Sequence, residues 1–138
     1  MNIVPWENSM LDHVGFAVSD IARSRAFYEN ALAALGLELI KEYAPDRTES
    51  GGTALGFGKD GFPFFWIGDN ERPGEGTHIA FRTENRAAVN AFHRAALAAG
   101  GTDNGAPGLR PHYHPNYYGA FVLDPDGINI EAVCHKPE

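Results

Sequence analysis

The sequence predicts an α+β fold made of one β-α-β-β-β unit used twice. Three observations carry that expectation. His13 to Gly36 aligns without a gap on His78 to Gly101, with identities that include His13/His78, Phe16/Phe81, Phe27/Phe92, Leu32/Leu97 and Gly36/Gly101. Period-two alternation opens each copy and returns after its helical stretch. Each copy also ends in an Asp-Gly turn followed by a strand, at Asp60-Gly61 and at Asp126-Gly127. A chain of 138 residues is one domain's worth. The first module is expected over about 10–69 and the second over about 75–135.

In the opening strand, Leu11 to Val18, alternation sets Val14, Phe16 and Val18 against His13, Gly15 and Ala17. Its counterpart opposes Ile79 and Phe81 to His78 and Ala80. Asp20 and Asn85 are helix N-caps, and Gly36 and Gly101 stand where a C′ glycine ends a helix. Phe27, Tyr28, Ala31, Leu32 and Leu35 form one apolar stripe; Val89, Phe92 and Ala96 form the other. These stripes should cover the Val/Phe/Ile face of the strands and leave the histidine face free of helices. Leu37 to Tyr43, Thr53 to Phe57 and Phe62 to Ile67 read as the remaining strands of the first module. Ala120 to Leu123 and Ile128 to Val133 read as strands of the second. Gly101 to Asn116 has no periodicity and is expected as a long functional loop carrying His112 and His114.

Composition narrows the function. Lys plus Arg is 11 against 18 Asp plus Glu, a net charge of −7 that disfavours nucleic acid and anionic membranes as partners. No apolar run nears the ~20 residues of a membrane span. Met1 to Met10 lacks the charged-then-apolar order of a signal peptide, and the single cysteine, Cys134, excludes an intrachain disulfide. The expected setting is cytoplasmic. Gly56-x-Gly58-x-x-Gly61 matches a dinucleotide fingerprint formally, but it opens onto Phe62-Pro63-Phe64, a strand instead of a phosphate-cradling helix.

If the modules pair by a pseudo-twofold, His13 and His78 converge on the uncovered face. Glu131 points there too, sharing a strand face with Asn129 and Val133. Two imidazoles and a carboxylate suit a divalent ion (Fe, Mn, Zn, Ni or Co) and leave positions for water or substrate. The alternative is a salt bridge from Glu131 to an arginine, with the histidines as ordinary strand residues. Counted from the Asp-Gly turn, the first-module equivalent of Glu131 is Phe65. His112 and His114 are base candidates. Arg110 can hold a substrate carboxylate, and Tyr113, Tyr117, Tyr118, Phe62, Phe64, Phe65 and Trp66 suit an aromatic ligand. His93 and His135 read as surface residues, and Cys134 as a packed strand residue.

Leu-Asp-His-Val-Gly-Phe-Ala-Val around His13, Ser24 to Tyr28, Thr-His-Ile-Ala-Phe around His78, and Phe121 to Glu131 resemble the vicinal oxygen chelate superfamily. That superfamily holds glyoxalase I, extradiol dioxygenases, and fosfomycin- and bleomycin-resistance proteins. The resemblance implies two βαβββ modules in a cupped, largely antiparallel eight-stranded sheet with helices on the outer face, and a homodimer. It implies His13, His78 and Glu131 as metal ligands. Glyoxalase I has a further glutamate where Phe65 is counted here, so the set is nearer that of extradiol dioxygenases. Those enzymes use an acid/base histidine and a tyrosine beside the metal, for which His112, His114, Tyr117 and Tyr118 are candidates. The expected function is a metal-dependent enzyme of glyoxalase or dioxygenase type acting on vicinal oxygens of a small molecule. The alternative is a metal-free, bleomycin-resistance-like protein that sequesters a cationic drug.

Overall fold

In the computed structural model, residues 12–48, 50–74 and 77–138 are described. The leader reading of Met1 to Met10, the strand start at Leu11 and the opening of the second module at 75–76 lie outside them. The first module runs β1 (Val14–Ala17), α1 (Ile21–Ala33), β2 (Glu38–Tyr43), β3 (Ala54–Lys59) and β4 (Phe62–Gly68). The second runs β5 (His78–Arg82), α2 (Arg86–Ala98), β6 (Thr102–Leu109), β7 (Tyr118–Leu123) and β8 (Asn129–Cys134). The eight strands divide into two four-stranded mixed sheets, ordered β1-β4-β3-β2 and β5-β8-β7-β6. In each, the opening strand lies at an edge and runs parallel to the last, while the other pairs are antiparallel.

Local chemistry explains the helices. The Asp20 carboxylate accepts the Arg23 N–H at 3.1 Å, and the Asn85 side-chain oxygen accepts the Ala88 N–H at 2.8 Å, each satisfying a first-turn donor. Gly36 ends α1 at φ 79° as expected, but α2 ends on Gly100, at φ 101°. Gly101 is small for another reason: a Cβ there would lie 2.4 Å from Val122 Cγ1 and 2.8 Å from the Phe27 ring. The stripes pack as the periodicity predicts, with Phe27, Tyr28, Ala31, Leu32, Val89, Phe92 and Ala96 buried in one core.

That core is shared between the modules. The Phe65 and Phe81 rings meet edge-on at 5.1 Å. The turn before β8 docks on the start of α1: Tyr28 donates its hydroxyl to Asp124 Oδ2 at 2.7 Å, and Ser19 N–H donates to Asp126 Oδ2 at 3.0 Å. Asp124 Oδ1 also accepts the N–H groups of Asp126 and Ile128, so one nearly buried carboxylate shapes the turn and ties it to α1. Its desolvation outweighs these bonds and pushes its pKa above the usual carboxylate range.

Two expectations are corrected. The region expected as a loop from Gly101 to Asn116 contains β6, and only Arg110–Tyr117 connects β6 to β7. As the outermost strand of its sheet, β6 needs partners on one side only, so it tolerates Pro107 and irregular register around Gly105 and Gly108. The repeat register also moves by one residue. Phe57 pairs with Phe65 but Gly58 pairs with Pro63, which leaves Phe64 as a bulge, whereas β7 and β8 pair without interruption. Val14 faces Phe65 as Ile79 faces Ile130, and Gly15 faces Trp66 as Ala80 faces Glu131. The first-module equivalent of Glu131 is therefore Trp66, and counting from the Asp-Gly turn misplaced it by the bulge.

Candidate metal and substrate site

The second module brings one half of the expected constellation together. On adjacent parallel strands, His78 pairs with Asn129 and Ala80 with Glu131. The Asn129 carbonyl can only accept, so His78 Nδ1–H donates to it at 3.0 Å and leaves Nε2 facing Glu131 Oε1 at 3.1 Å. An unprotonated nitrogen and a carboxylate oxygen repel at that distance unless a cation lies between them: a proton or a metal ion. An imidazole oriented by a carbonyl on its far nitrogen is also the usual arrangement of a metal-ligating histidine. The donor set and its support thus fit a divalent ion.

Glu131 is the most exacting member. Its side chain is 2% exposed, and among the described residues its ion-pair partner is His78 and no arginine or lysine. A buried carboxylate left without a cation costs several kcal/mol. Its other oxygen, Oε2, accepts the Tyr117 hydroxyl. Gly119 makes the room, since a Cβ there would stand 3.0 Å from Oε2 and 3.2 Å from Tyr117 Cε1. Burial, followed by the bond to the Glu131 anion, raises the Tyr117 pKa, so the phenol keeps its proton.

Aromatic and cationic groups surround this pair. Phe121 lies opposite Glu131 in the β7–β8 ladder and stacks on His78 at 6.1 Å, with the Arg110 guanidinium 5.4 Å from its ring centre. Arg110 donates to the Gly108 and Ala106 carbonyls at 2.8 Å each, so it braces the end of β6 as well as facing the site. Tyr113, 59% exposed, stands between His112 at 4.2 Å and Tyr117 at 4.8 Å. His114 packs edge-on to Tyr117 at 5.5 Å. His112, Tyr113, His114 and Tyr117 therefore form a row of rings that ends on Glu131.

Other expected members lie elsewhere. Tyr118 points to the helix side, donating to Asn90 Oδ1 at 2.7 Å beneath Arg86, because strand alternation puts it opposite Tyr117 and Gly119. Phe65 is fully buried among Phe16, Tyr28, Phe57 and Phe81. His13 precedes β1, its side chain 61% exposed and its Nδ1 2.8 Å from Asp12 Oδ1. It borders a cavity of about 320 Å³ between the edge strands, with Lys59, Phe64, Ile79, Arg82 and Glu84. Among the described residues of one chain, no group of three or more His, Cys, Asp or Glu side chains is placed to hold a metal. His78 and Glu131 meet; His13 does not join them.

Two residues were missed as site members, Phe121 and His135. Phe121 was legible from its alternation with Tyr118 and its place opposite Glu131. Trp66 was read as one of several aromatics suiting a ligand, and the bulge hid its equivalence to Glu131. His135 lies 2.5 Å from His114 through Nδ1 and Nε2, a pairing that no sequence spacing announces. His93, expected on the surface, is mostly covered and meets Asp103 at 2.9 Å, a contact that lowers the Asp103 pKa.

The structure is similar to a glyoxalase/bleomycin resistance protein from Albidiferax ferrireducens, at 29% identity and TM-score 0.72 over 94% of this chain and all of that one. A glyoxalase I variant from Zea mays matches at 26% identity and TM-score 0.69 over 89% of this chain, which spans 46% of the maize protein. A glyoxylase/bleomycin resistance protein/dioxygenase domain from Frankia shares the fold at 17% identity and TM-score 0.70. No curated protein matches the sequence. No helix among the described residues is long and apolar enough to cross a membrane. The duplicated module, the paired sheets and a profile match over residues 10–132 agree: the chain belongs to the glyoxalase/bleomycin resistance protein/dioxygenase superfamily.

Proposed function

We propose that this chain is a metal-dependent enzyme of that superfamily, acting in the cytoplasm as a homodimer on a small substrate with two neighbouring oxygens. The observation that carries the reading is the buried Glu131 carboxylate facing the Nε2 of a histidine whose other nitrogen is committed to a carbonyl. His13, exposed and apart from that pair, completes a three-ligand site from a second copy. Trp66, which has no metal-binding atom, leaves the first module without a further ligand. A bound divalent ion (Fe, Mn, Zn, Ni or Co) supplies a Lewis acid to adjacent substrate oxygens.

The chain's own groups do the rest. Tyr117, kept protonated, holds Glu131 in orientation and offers a donor beside it. Phe121 and Tyr113 supply apolar walls for a substrate ring or chain. Arg110 lends positive charge to a substrate anion. His112 is the imidazole proposed to move a proton, since both ring nitrogens of His114 are engaged.

Elemental analysis of tag-free protein, reconstituted with each metal in turn, tests this. About one equivalent per chain is expected, lost in His78→Ala and in His13→Ala. Mixing the two variants should recover part of the binding, because a mixed dimer rebuilds one intact site. Loss without recovery would place His13 outside the site.

A second reading is favoured by one observation. If a proton lies between His78 and Glu131, the pair is an ion pair that needs no metal. The tyrosine row and net charge of −7 would then suit sequestration of a cationic drug. Absence of metal under every condition, with saturable binding of bleomycin, would select it.

A further inference from the structure

We infer that His135 is a positioning residue for the candidate site: it accepts the Nε2–H of His114, and the two imidazoles together clamp the Tyr117 ring whose hydroxyl meets Glu131. The inference rests on the reading of Glu131 as a site residue. It begins with a main-chain donor. The Asn116 N–H points at His114 Nδ1 at 3.1 Å, and since an amide N–H only donates, Nδ1 accepts and the His114 proton sits on Nε2. That Nε2–H faces His135 Nδ1 at 2.5 Å, so His135 accepts there and carries its own proton on Nε2. Both rings are neutral, and because the His114 Nε2 lone pair is taken up by its proton, the pair shares a hydrogen bond and not a metal ion.

The pair closes on Tyr117 from one side. The imidazoles stack at 4.8 Å with planes 24° apart, and Tyr117 stands edge-on to His114 at 5.5 Å and to His135 at 5.4 Å. The backbone is tied in the same place: Tyr117 N–H donates to the His114 carbonyl at 3.1 Å, and Arg110 N–H donates to the Tyr117 carbonyl at 2.7 Å. Tyr113 packs on the tyrosine as well, at 4.8 Å. His135 follows directly from β8, the strand that carries Glu131, so it sets the Arg110–Tyr117 segment against the carboxylate from a fixed element.

The clamp works only when uncharged. A proton added to His135 Nδ1 would face the His114 Nε2–H, and one added to His114 Nδ1 would face the Asn116 N–H. Of the charged groups around His135, Arg82 of β5 opposes a positive imidazole and Glu131 of β8 favours it, while Lys136 is engaged with Glu84. Burial, then His114 and Arg82, hold the His135 pKa below the usual imidazole range, which keeps the clamp closed at neutral pH.

The test uses the full-length chain without added metal, so a chain that binds no metal still gives an answer. Imidazole proton NMR reads the hydrogen bond made by His114 Nε2–H, and amide exchange reads Tyr117. His135→Phe keeps a ring but removes the acceptor; His135→Gln keeps an acceptor oxygen but cannot titrate. In the unsubstituted chain at about pH 8, His114 should show a downfield, slowly exchanging Nε2–H and a bare Nδ1, and acidification should release that proton and the Tyr117 amide together. His135→Phe should lose the downfield His114 Nε2–H signal and give Tyr117 exchange about fivefold faster, the scale of one lost hydrogen bond. His135→Gln should restore both at neutral pH. An unchanged His114 Nε2–H signal and Tyr117 exchange in His135→Phe, or equal losses in both variants, would overturn the inference. Failure of the metal reading alone would leave these signals in place.

Discussion

The two modules share strand order, strand directions and helix N-caps, yet they fill equivalent positions of their open faces in opposite ways. In the second, Glu131 lies beside Ala80 and over Gly119, with His78 and Tyr117 on its two oxygens. In the first, Trp66 takes that place beside Gly15. A Cβ on Gly56 would lie 2.7 Å from the indole, and Tyr43 stacks on it at 5.7 Å with the planes 11° apart. Small neighbours make room in both cases, once for a carboxylate and its partners, once for a large ring. Duplication thus fixes the scaffold and the buried face, while the open face is free to diverge. One module is built to hold charge and the other to present an aromatic surface.

Substitutions at the register position can break this contrast or sharpen it. Phe65→Glu, which puts a carboxylate among four packed rings, should cost at least about 5 kcal/mol and leave no cooperative unfolding transition. A folded, metal-enriched Phe65→Glu would restore the register counted from the turn. Glu131→Gln should keep the fold, because its neighbours can still bond an amide, but lower metal affinity by about 100-fold or more in a competition titration. Trp66→Glu should make the modules alike, with Ni²⁺ binding about tenfold tighter and stability about 2 kcal/mol lower from the lost packing. Tyr28→Phe should remove the hydroxyl tying the modules and cost about 1–2 kcal/mol in denaturant titrations, with metal content unchanged.

The smallest expected effect is a pH dependence at the same turn. Burial raises the Asp124 pKa, so the folded protein binds that proton more tightly than the unfolded chain does. Its contribution to stability is therefore present below the unfolded carboxylate value and lost as pH rises through the folded one. Asp124→Asn removes that dependence. The stability of the unsubstituted chain relative to the variant should grow as pH falls through this window, by less than about 1 kcal/mol in paired denaturant titrations. A difference that shrinks over the same range would mean that Asp124 is stabilised as the anion.

The parts of the fold set by strong periodicity were legible: both helices, their N-caps, the apolar stripes and most strands follow from residue pattern. β6 was not, because Gly105, Pro107 and Gly108 erase alternation, and only its position at a sheet edge makes them tolerable. His78 and Glu131 were legible as a pair because strand parity alone puts them on one face. Tyr118 shows how fine that parity is: Tyr117, its neighbour, carries the contact. The identity of the fourth position failed for a different reason, since a one-residue bulge at Phe64 is invisible to counting. His13 could be named from the repeat, but whether it meets the other two depends on tertiary arrangement, which no spacing encodes.

The turn that joins the modules also bears on the order of assembly. The Tyr28 hydroxyl waits for a carboxylate 96 residues further along, and the Ser19 amide for one 107 residues further. As the chain leaves the ribosome, α1 can form early on its own cap, but its apolar stripe has no complete surface to rest on until the last two strands emerge. Contacts of such long range make folding slow, and an incomplete chain would show Phe27 and Leu32 to its surroundings. A chain that stops short of the last turn should therefore leave the Tyr28 hydroxyl and the Ser19 amide without these partners.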